Sequence, residues 1–194
     1  MYDPATKYVT IENTFLTSDN NIEGLGYWSK RNRLMLACKG SPSAKHKYER
    51  SKAVYDFDIA ENKLKKKPMF LITKDKIKEY VTAKNATGLM NKLHQQVRIK
   101  DAMNFAPSGI AVHPTSQHIY IISSHGHTLF VVDEKGKILH IEFLNQSKFH
   151  QPEGIVFDLD GTLYISNEGE KAKASILEFR EIPKNNPGKL KTKK

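Results

Sequence analysis

Three segments of the chain repeat one pattern of apolar and polar positions. Each segment opens with a glycine before a short apolar run, passes through a polar stretch, and returns through a second apolar run that ends near another glycine. The segments are residues 22–40, 107–126 and 152–169. Their opening and closing glycines lie 16, 17 and 15 residues apart. Such a period predicts a repeat architecture in which each unit is one supersecondary structure.

Further strand-like runs follow each repeated segment. They are residues 52–58 and 68–73 after the first segment, 128–133 and 138–144 after the second, and 174–179 after the third. Four short antiparallel strands within about 40–45 residues are typical of one blade of a β-propeller. We therefore predict an all-β fold, a β-propeller of four-stranded blades. A β-sandwich is the alternative, but it does not explain a repeated sequence.

A surplus of residues separates the first unit from the second. Apolar residues recur there at helical spacing, for example at Ile77, Tyr80 and Val81, and this spacing is typical of an amphipathic helix. Gly88 divides this run from a second one of the same kind. We predict a short helical insertion over residues 74–104 that packs on one face of the propeller.

The repeat also predicts how the chain is divided. The predicted parts of a partial propeller over residues 1–180 are the end of an earlier blade (1–17), a blade (18–73), the helical insertion (74–104), a blade (105–149) and an incomplete last blade (150–180). Residues 181–194 are predicted to be a basic disordered tail. Because closed propellers commonly need at least four blades, we expect the chain to be the C-terminal portion of a longer protein. Open blade edges recruit other strands, so we also expect self-association.

Composition and charge indicate a globular domain and bear on whether it binds nucleic acid. Apolar residues make up 39% of the 194 residues, which suits a globular domain with a core. The net charge is +10, but the basic runs at residues 63–67 and 184–194 are expected in a hairpin turn and in the tail. No aromatic residues are interleaved with them, so we expect no nucleic-acid partner. Cys38 lies in an apolar run and is interpreted as a core residue.

Carboxylates recur at the openings of the repeats. In a propeller the innermost strand of each blade lines the central channel, and its antiparallel neighbour ends where that strand begins. Glu23 and Glu153 are therefore expected near the channel mouth, with Asn167 and Glu168 beside them. Carboxylate and amide oxygens are the ligands that Ca²⁺ prefers. These four residues are therefore candidate ligands of a calcium ion.

Two functions fit this arrangement. The first is a binding or structural module without catalysis, with a ligand at the channel mouth. The second is a metal-dependent hydrolase of the lactonase or phosphoesterase type that acts at the channel ion. A hydrolase needs a general base beside the ion, and His125 is the candidate. Without a metal, the glutamates would pair with Lys39 or His125 in a solvated network.

The repeated units resemble those of a known family. The residues that carry the resemblance are 21–25 with 33–39, 53–58, 107–114, and 151–155 with 163–169. They resemble NHL-type repeats and, more closely, the SdiA-regulated family of bacterial propellers. The resemblance implies a calcium-binding propeller outside the cytoplasm, in the periplasm or cell envelope, with no known activity. Because this sequence departs from the family by lacking its N-terminal blades and anchor, we expect membrane contact only through a missing N-terminal anchor.

One motif points to a different fold. Residues 155–163 form an apolar strand followed by Asp-x-Asp-Gly-Thr, which resembles the first motif of the haloacid dehalogenase-like phosphatases. In that family Asp158 would be the nucleophile and Asp160 the acid or base, bridged by Mg²⁺. The motif normally begins a Rossmann-like domain, and few residues follow Thr162 here. We interpret the segment as an Asp-rich β-turn that ends at Gly161.

Overall fold

Three antiparallel sheets follow one another along the chain. The computed structural model describes residues 11–42, 51–85, 92–169 and 173–180. Successive strands pair with their neighbours in sequence, except that the last strand of the first sheet pairs with the third strand of that sheet. This arrangement keeps the pairing local, as expected for a chain built from repeated hairpins.

The first sheet contains five strands. They are β1 (Ile22–Trp28), β2 (Arg33–Cys38), β3 (Ser51–Asp58), β4 (Lys63–Leu64) and β5 (Phe70–Thr73). Both β4 and β5 pair antiparallel with β3, so the outermost strand of this blade is interrupted. The basic run at residues 63–67 is therefore only partly a turn, because its first two residues pair with Phe57 and Asp58.

The second and third sheets are built in the same way. The second contains β6 (Ala106–Val112), β7 (Ile119–His125), β8 (Thr128–Val132) and β9 (Ile138–Phe143), and the third contains β10 (Pro152–Phe157), β11 (Leu163–Asn167) and β12 (Ser175–Phe179). Every strand pair in both sheets is antiparallel. The third sheet thus shows three strands within the described residues, in agreement with the sequence pattern.

Two helices form the insertion between the first and second sheets. They are α1 (Lys74–Asn85) and α2 (Lys92–Met103), which confirms the predicted helical insertion. Ile77 and Val81 of α1 are buried in an apolar cluster that also contains residues of the first two sheets. The Tyr80 hydroxyl donates a hydrogen bond to the carbonyl oxygen of Leu139 at 3.2 Å. The insertion therefore packs across both sheets, while Gly88 lies outside the described residues.

The sheets stack through their inner strands. Strand β1 lies beside β6, and β6 lies beside β10. A Cβ atom on Gly24 would lie 3.3 Å from Ile110 Cγ2, and one on Gly109 would lie 3.1 Å from Ile155 Cγ2. Separate apolar clusters fill the space between the first and second sheets and between the second and third. Meander sheets that stack with their inner strands side by side are propeller blades, so the predicted fold class is confirmed.

Parts of the predicted division fall outside the described residues. These parts are residues 1–10 and the whole tail at residues 181–194. Residues 11–17, which the sequence assigns to an earlier blade, form no strand. Within the described ranges, no helix is long and apolar enough to cross a membrane.

Candidate functional site

A β-bulge lies at the start of each inner strand. The regular pairing skips Glu23 in β1, Ser108 in β6 and Glu153 in β10, each of which directly precedes the glycine of its repeat. Bulges of this kind re-aim a side chain relative to the rest of the strand and are common next to functional sites. The same position of three neighbouring blades therefore presents an irregular backbone at one end of the inner strands.

Ser108 connects two of these bulges. Its buried hydroxyl donates a hydrogen bond to the carbonyl oxygen of Pro152 at 2.7 Å. A Cβ atom on the neighbouring Gly109 would lie only 2.7 Å from the carbonyl oxygen of Glu153, so glycine is required for this approach. Ser108 was not among the predicted site residues. Its place in the repeat, where the other two units carry glutamate, is the signal that would have identified it.

Glu23 is engaged in a polar network at the start of the first blade. Its carboxylate forms an ion pair with Lys39 Nζ at 2.9 Å and accepts a hydrogen bond from Asn21 Nδ2 at 3.0 Å. The backbone N–H of Lys39 donates to the Asn21 carbonyl oxygen at 2.9 Å, which holds the partners together. The pairing of Glu23 with Lys39 is the network that the sequence offered as the alternative to a metal.

The other three predicted ligands lie in the third blade. Glu168 accepts a hydrogen bond from Gln151 Nε2 at 2.8 Å. Asn167 is buried, and its amide nitrogen is 3.2 Å from Ser175 Oγ, whereas its Oδ1 atom has no hydrogen-bond partner among the described residues. The carboxylate of Glu153 likewise has no ion pair or hydrogen bond with the part of the chain that is described. Glu153 follows Pro152, the cross-strand partner of Asn167.

These oxygen atoms fit a calcium ion only in part. Asn167 Oδ1 and the Glu153 carboxylate are hard donors without a described partner, whereas Glu23 would have to exchange Lys39 for the ion. No group of three or more His, Cys, Asp or Glu side chains is placed to hold a metal within the described ranges. Since calcium takes about 6–8 oxygens, most of them would have to be backbone carbonyls and water. The four-residue site stays a prediction.

The phosphatase-like motif forms a hairpin turn between β10 and β11. Asp158 Oδ1 accepts hydrogen bonds from the backbone N–H groups of Asp160 and Thr162 at 3.2 and 2.9 Å. Gly161 closes the turn with φ of +90°. Contact with the Asp158 carboxyl, together with hydrogen bonds from Thr162, lowers the pKa of Asp160 to about 2. Because β10 and β11 are antiparallel, this is the predicted turn and not the parallel strand edge of a phosphatase.

The structure also describes two further residues that the sequence analysis singled out, His125 and Cys38. His125 is exposed at the end of β7, and its ring has no ion pair or hydrogen bond with the described residues. Cys38 is fully buried, and this burial raises the pKa of its thiol to about 11. A buried thiol of such high pKa is a poor nucleophile, as expected for a core residue.

A cavity of about 290 Å³ lies between the first blade and the helical insertion. Its wall combines apolar side chains, including Ile77 and Phe105, with Lys52 and Lys74. Burial and the neighbouring charge of Lys74 lower the pKa of Lys52, whose ammonium donates to the carbonyl oxygen of Lys39. This cavity could not be predicted from the sequence, because its lining residues come from separate segments of the chain.

Comparison with solved structures returns low-identity matches with TM-scores below 0.5. One match is a luciferin-regenerating enzyme, at 11% identity and a TM-score of 0.47, covering 81% of this chain and 44% of that one. Another is a nidogen/laminin complex, at 14% identity and a TM-score of 0.47, covering 82% and 44%. A third is a protein from Lactobacillus plantarum, at 12% identity and a TM-score of 0.47, covering 93% and 48%. The chain spans less than half the length of each.

A comparison of family models gives a specific result. No curated protein matches the chain in sequence. The model of the SdiA-regulated family, however, matches residues 4–171, which include all three inner strands and both helices of the insertion. A match over this much of the chain, on residues whose repeat the structure shows as stacked blades, identifies the protein as a member of the SdiA-regulated family.

Proposed function

We propose that this protein is a calcium-binding propeller module of a bacterial cell-envelope protein, with a binding or structural role and no catalysis. The proposal is supported by membership of the SdiA-regulated family. The observation that carries it is the buried Asn167 Oδ1 atom, which lacks a hydrogen-bond partner among the described residues. A buried acceptor left unpaired costs about 1–3 kcal/mol, and a bound cation would remove this cost.

Glu153 supplies the charge that such an ion requires. It occupies the bulge next to Pro152, which pairs across the strands with Asn167. An ion held by Glu153 and Asn167 would join β10 to β11 at the channel mouth and provide a fixed positive charge for an anionic group of a ligand. Calcium sites of extracellular modules have Kd values of about 10⁻⁴–10⁻³ M. A site with few carboxylates suits this range and a position outside the cytoplasm.

Calcium is expected to raise the melting temperature of the protein. A ligand that binds only the folded state at a hundredfold excess over its Kd stabilises it by about 2.7 kcal/mol. For a chain of this size, that corresponds to roughly 5–10 °C. Magnesium, which demands a smaller octahedral site, should do less. The measurement is thermal unfolding monitored by circular dichroism, in the presence of calcium, magnesium or a chelator.

Two variants locate the ion in this experiment. Glu153→Gln should abolish most of the gain from calcium, since it removes the charge and keeps the shape. Asp158→Asn changes a carboxylate of the hairpin turn and should leave the gain nearly intact. If Asp158→Asn removes the calcium response while Glu153→Gln does not, the ion binds at the turn and the proposed site is wrong.

A further inference from the structure

The cavity between the first blade and the helical insertion has a wall of mixed character. Lys52 of β3 and Ile72 of β5 both line it, and they are cross-strand partners on one face of the sheet. On α1, Lys74 and Ile77 also line the cavity, and their spacing of three residues puts them on the same side of the helix. The fold therefore gathers two lysines and apolar side chains around one small space.

The two lysines leave an excess of positive charge at this cavity. None of the described residues that line it is acidic, and within the described part of the chain neither Lys52 nor Lys74 forms an ion pair with a carboxylate. The neighbouring Lys39 is already paired with Glu23. Burial, followed by the charge of Lys74, lowers the pKa of Lys52, so the ammonium form is held at an energetic cost. A bound anion would offset this cost, because an opposite charge nearby favours the charged form.

Backbone contacts hold the Lys52 ammonium in place and leave it a donor. The ammonium donates a hydrogen bond to the carbonyl oxygen of Lys39 and lies 3.5 Å from the carbonyl oxygen of Gly40. Since Gly40 itself lines the cavity, these contacts place the ammonium at the cavity wall. An ammonium group has three N–H donors, so the two carbonyl oxygens leave one donor for a ligand.

The volume and the wall of the cavity together define a class of ligand. Because a water molecule takes about 30 Å³ in the liquid, a cavity of about 290 Å³ has room for roughly ten non-hydrogen atoms. We propose that this cavity binds a small monocarboxylate with a short apolar tail. Its carboxylate lies between Lys52 and Lys74, and its tail packs on Ile77 and Phe105. The cavity shares no described residue with the proposed calcium site, so the proposal is independent of the ion.

Hexanoate is the probe for this site, because it joins one carboxylate to a short apolar tail. Titration of the full chain, monitored by ligand-observed NMR with a chelator present, should show saturable binding with a Kd of about 1 mM or below. Hexan-1-ol lacks the charge and acetate lacks the tail, so each should bind roughly tenfold more weakly. No saturable binding of hexanoate at concentrations well above this Kd would overturn the proposal. Binding of hexan-1-ol or acetate as tight as that of hexanoate would do the same.

The position of the site is tested with two lysine variants, whose folding is checked by circular dichroism. Lys52→Met removes the charge and keeps a long unbranched side chain, and it should raise the Kd of hexanoate roughly tenfold. Lys76→Met is the matched control, because Lys76 is exposed on α1 and does not line the cavity; it should leave the Kd nearly unchanged. Equal effects of the two variants would mean that hexanoate responds only to the net charge of +10, and the proposal would be wrong. If Lys52→Met does not fold, the comparison of hexanoate with hexan-1-ol and acetate on the unaltered chain decides.

Discussion

Replacing Trp28 with alanine is expected to destabilise the fold by about 3–5 kcal/mol, the usual cost of removing a buried tryptophan. Trp28 is 2% exposed and belongs to the apolar cluster between the first two blades. Its indole N–H also donates a hydrogen bond to Gln117 Oε1 at 2.8 Å, across 89 residues of sequence. The substitution therefore removes both the packing and a polar link between blades. Thermal unfolding should show a melting temperature roughly 6–20 °C lower.

Two further variants separate these contributions. Trp28→Phe keeps most of the ring but loses the hydrogen bond, so it should cost less than Trp28→Ala. Leu159→Ala, at a position that is 97% exposed, should change the stability by no more than about 0.5 kcal/mol. Equal stability of Trp28→Ala and Leu159→Ala would mean that the first blade does not pack on the second in the way the structure shows.

Gly126→Ala is expected to destabilise the fold strongly. Gly126 and His127 form the two-residue turn between β7 and β8, with φ of +77° and +45°. An alanine in this left-handed region costs about 1–2 kcal/mol. In addition, its Cβ would lie 2.1 Å from the backbone carbonyl oxygen of Asp101 in α2. Relief of such a clash requires backbone movement, which adds about 1–3 kcal/mol.

Gly161→Ala is the matched control for this prediction. Gly161 also has positive φ, at +90°, but the nearest atom to an added Cβ is a side-chain nitrogen of His113 at 3.2 Å. The free energy of unfolding of this variant should therefore fall only by the cost of placing alanine at positive φ, about 1–2 kcal/mol. Chemical denaturation of both variants measures the difference. If Gly161→Ala is the less stable of the two, the contact between the β7–β8 turn and α2 is not formed.

The blades could be predicted from the sequence because their information is local. Glycines at fixed distances and alternating apolar runs define hairpins whose strands lie close in sequence. The interrupted outer strand of the first blade could not be predicted, because the pairing of Lys63–Leu64 with β3 depends on how the following residues return to the sheet. The hydrogen bond from Trp28 to Gln117 could not be predicted either, since it joins side chains of two different repeats.

At the candidate site, the placement of the inner strands could be predicted from the sequence, but the contacts of the side chains could not. Propeller geometry correctly brings the start of β10 beside the start of β6, where Ser108 contacts Pro152. Whether Glu23 binds an ion or Lys39 depends on rotamers and competing partners, which a repeat does not encode. The structure shows the ion pair with Lys39, and the sequence could only offer it as one of two possibilities.

The bulges at the starts of the inner strands have an evolutionary consequence. A bulged residue is outside the regular alternation of the sheet, so its identity can change without moving neighbouring residues to the other face. The three bulges of this chain already hold glutamate, serine and glutamate on the same scaffold. Single substitutions of Glu23 or Glu153 can therefore change the charge at the start of an inner strand while the blades keep their packing, whereas Ser108 is tied to the next blade by its buried hydrogen bond to Pro152. Relatives with the same blades are expected to vary in charge at the two bulges that hold glutamate more than at the buried one.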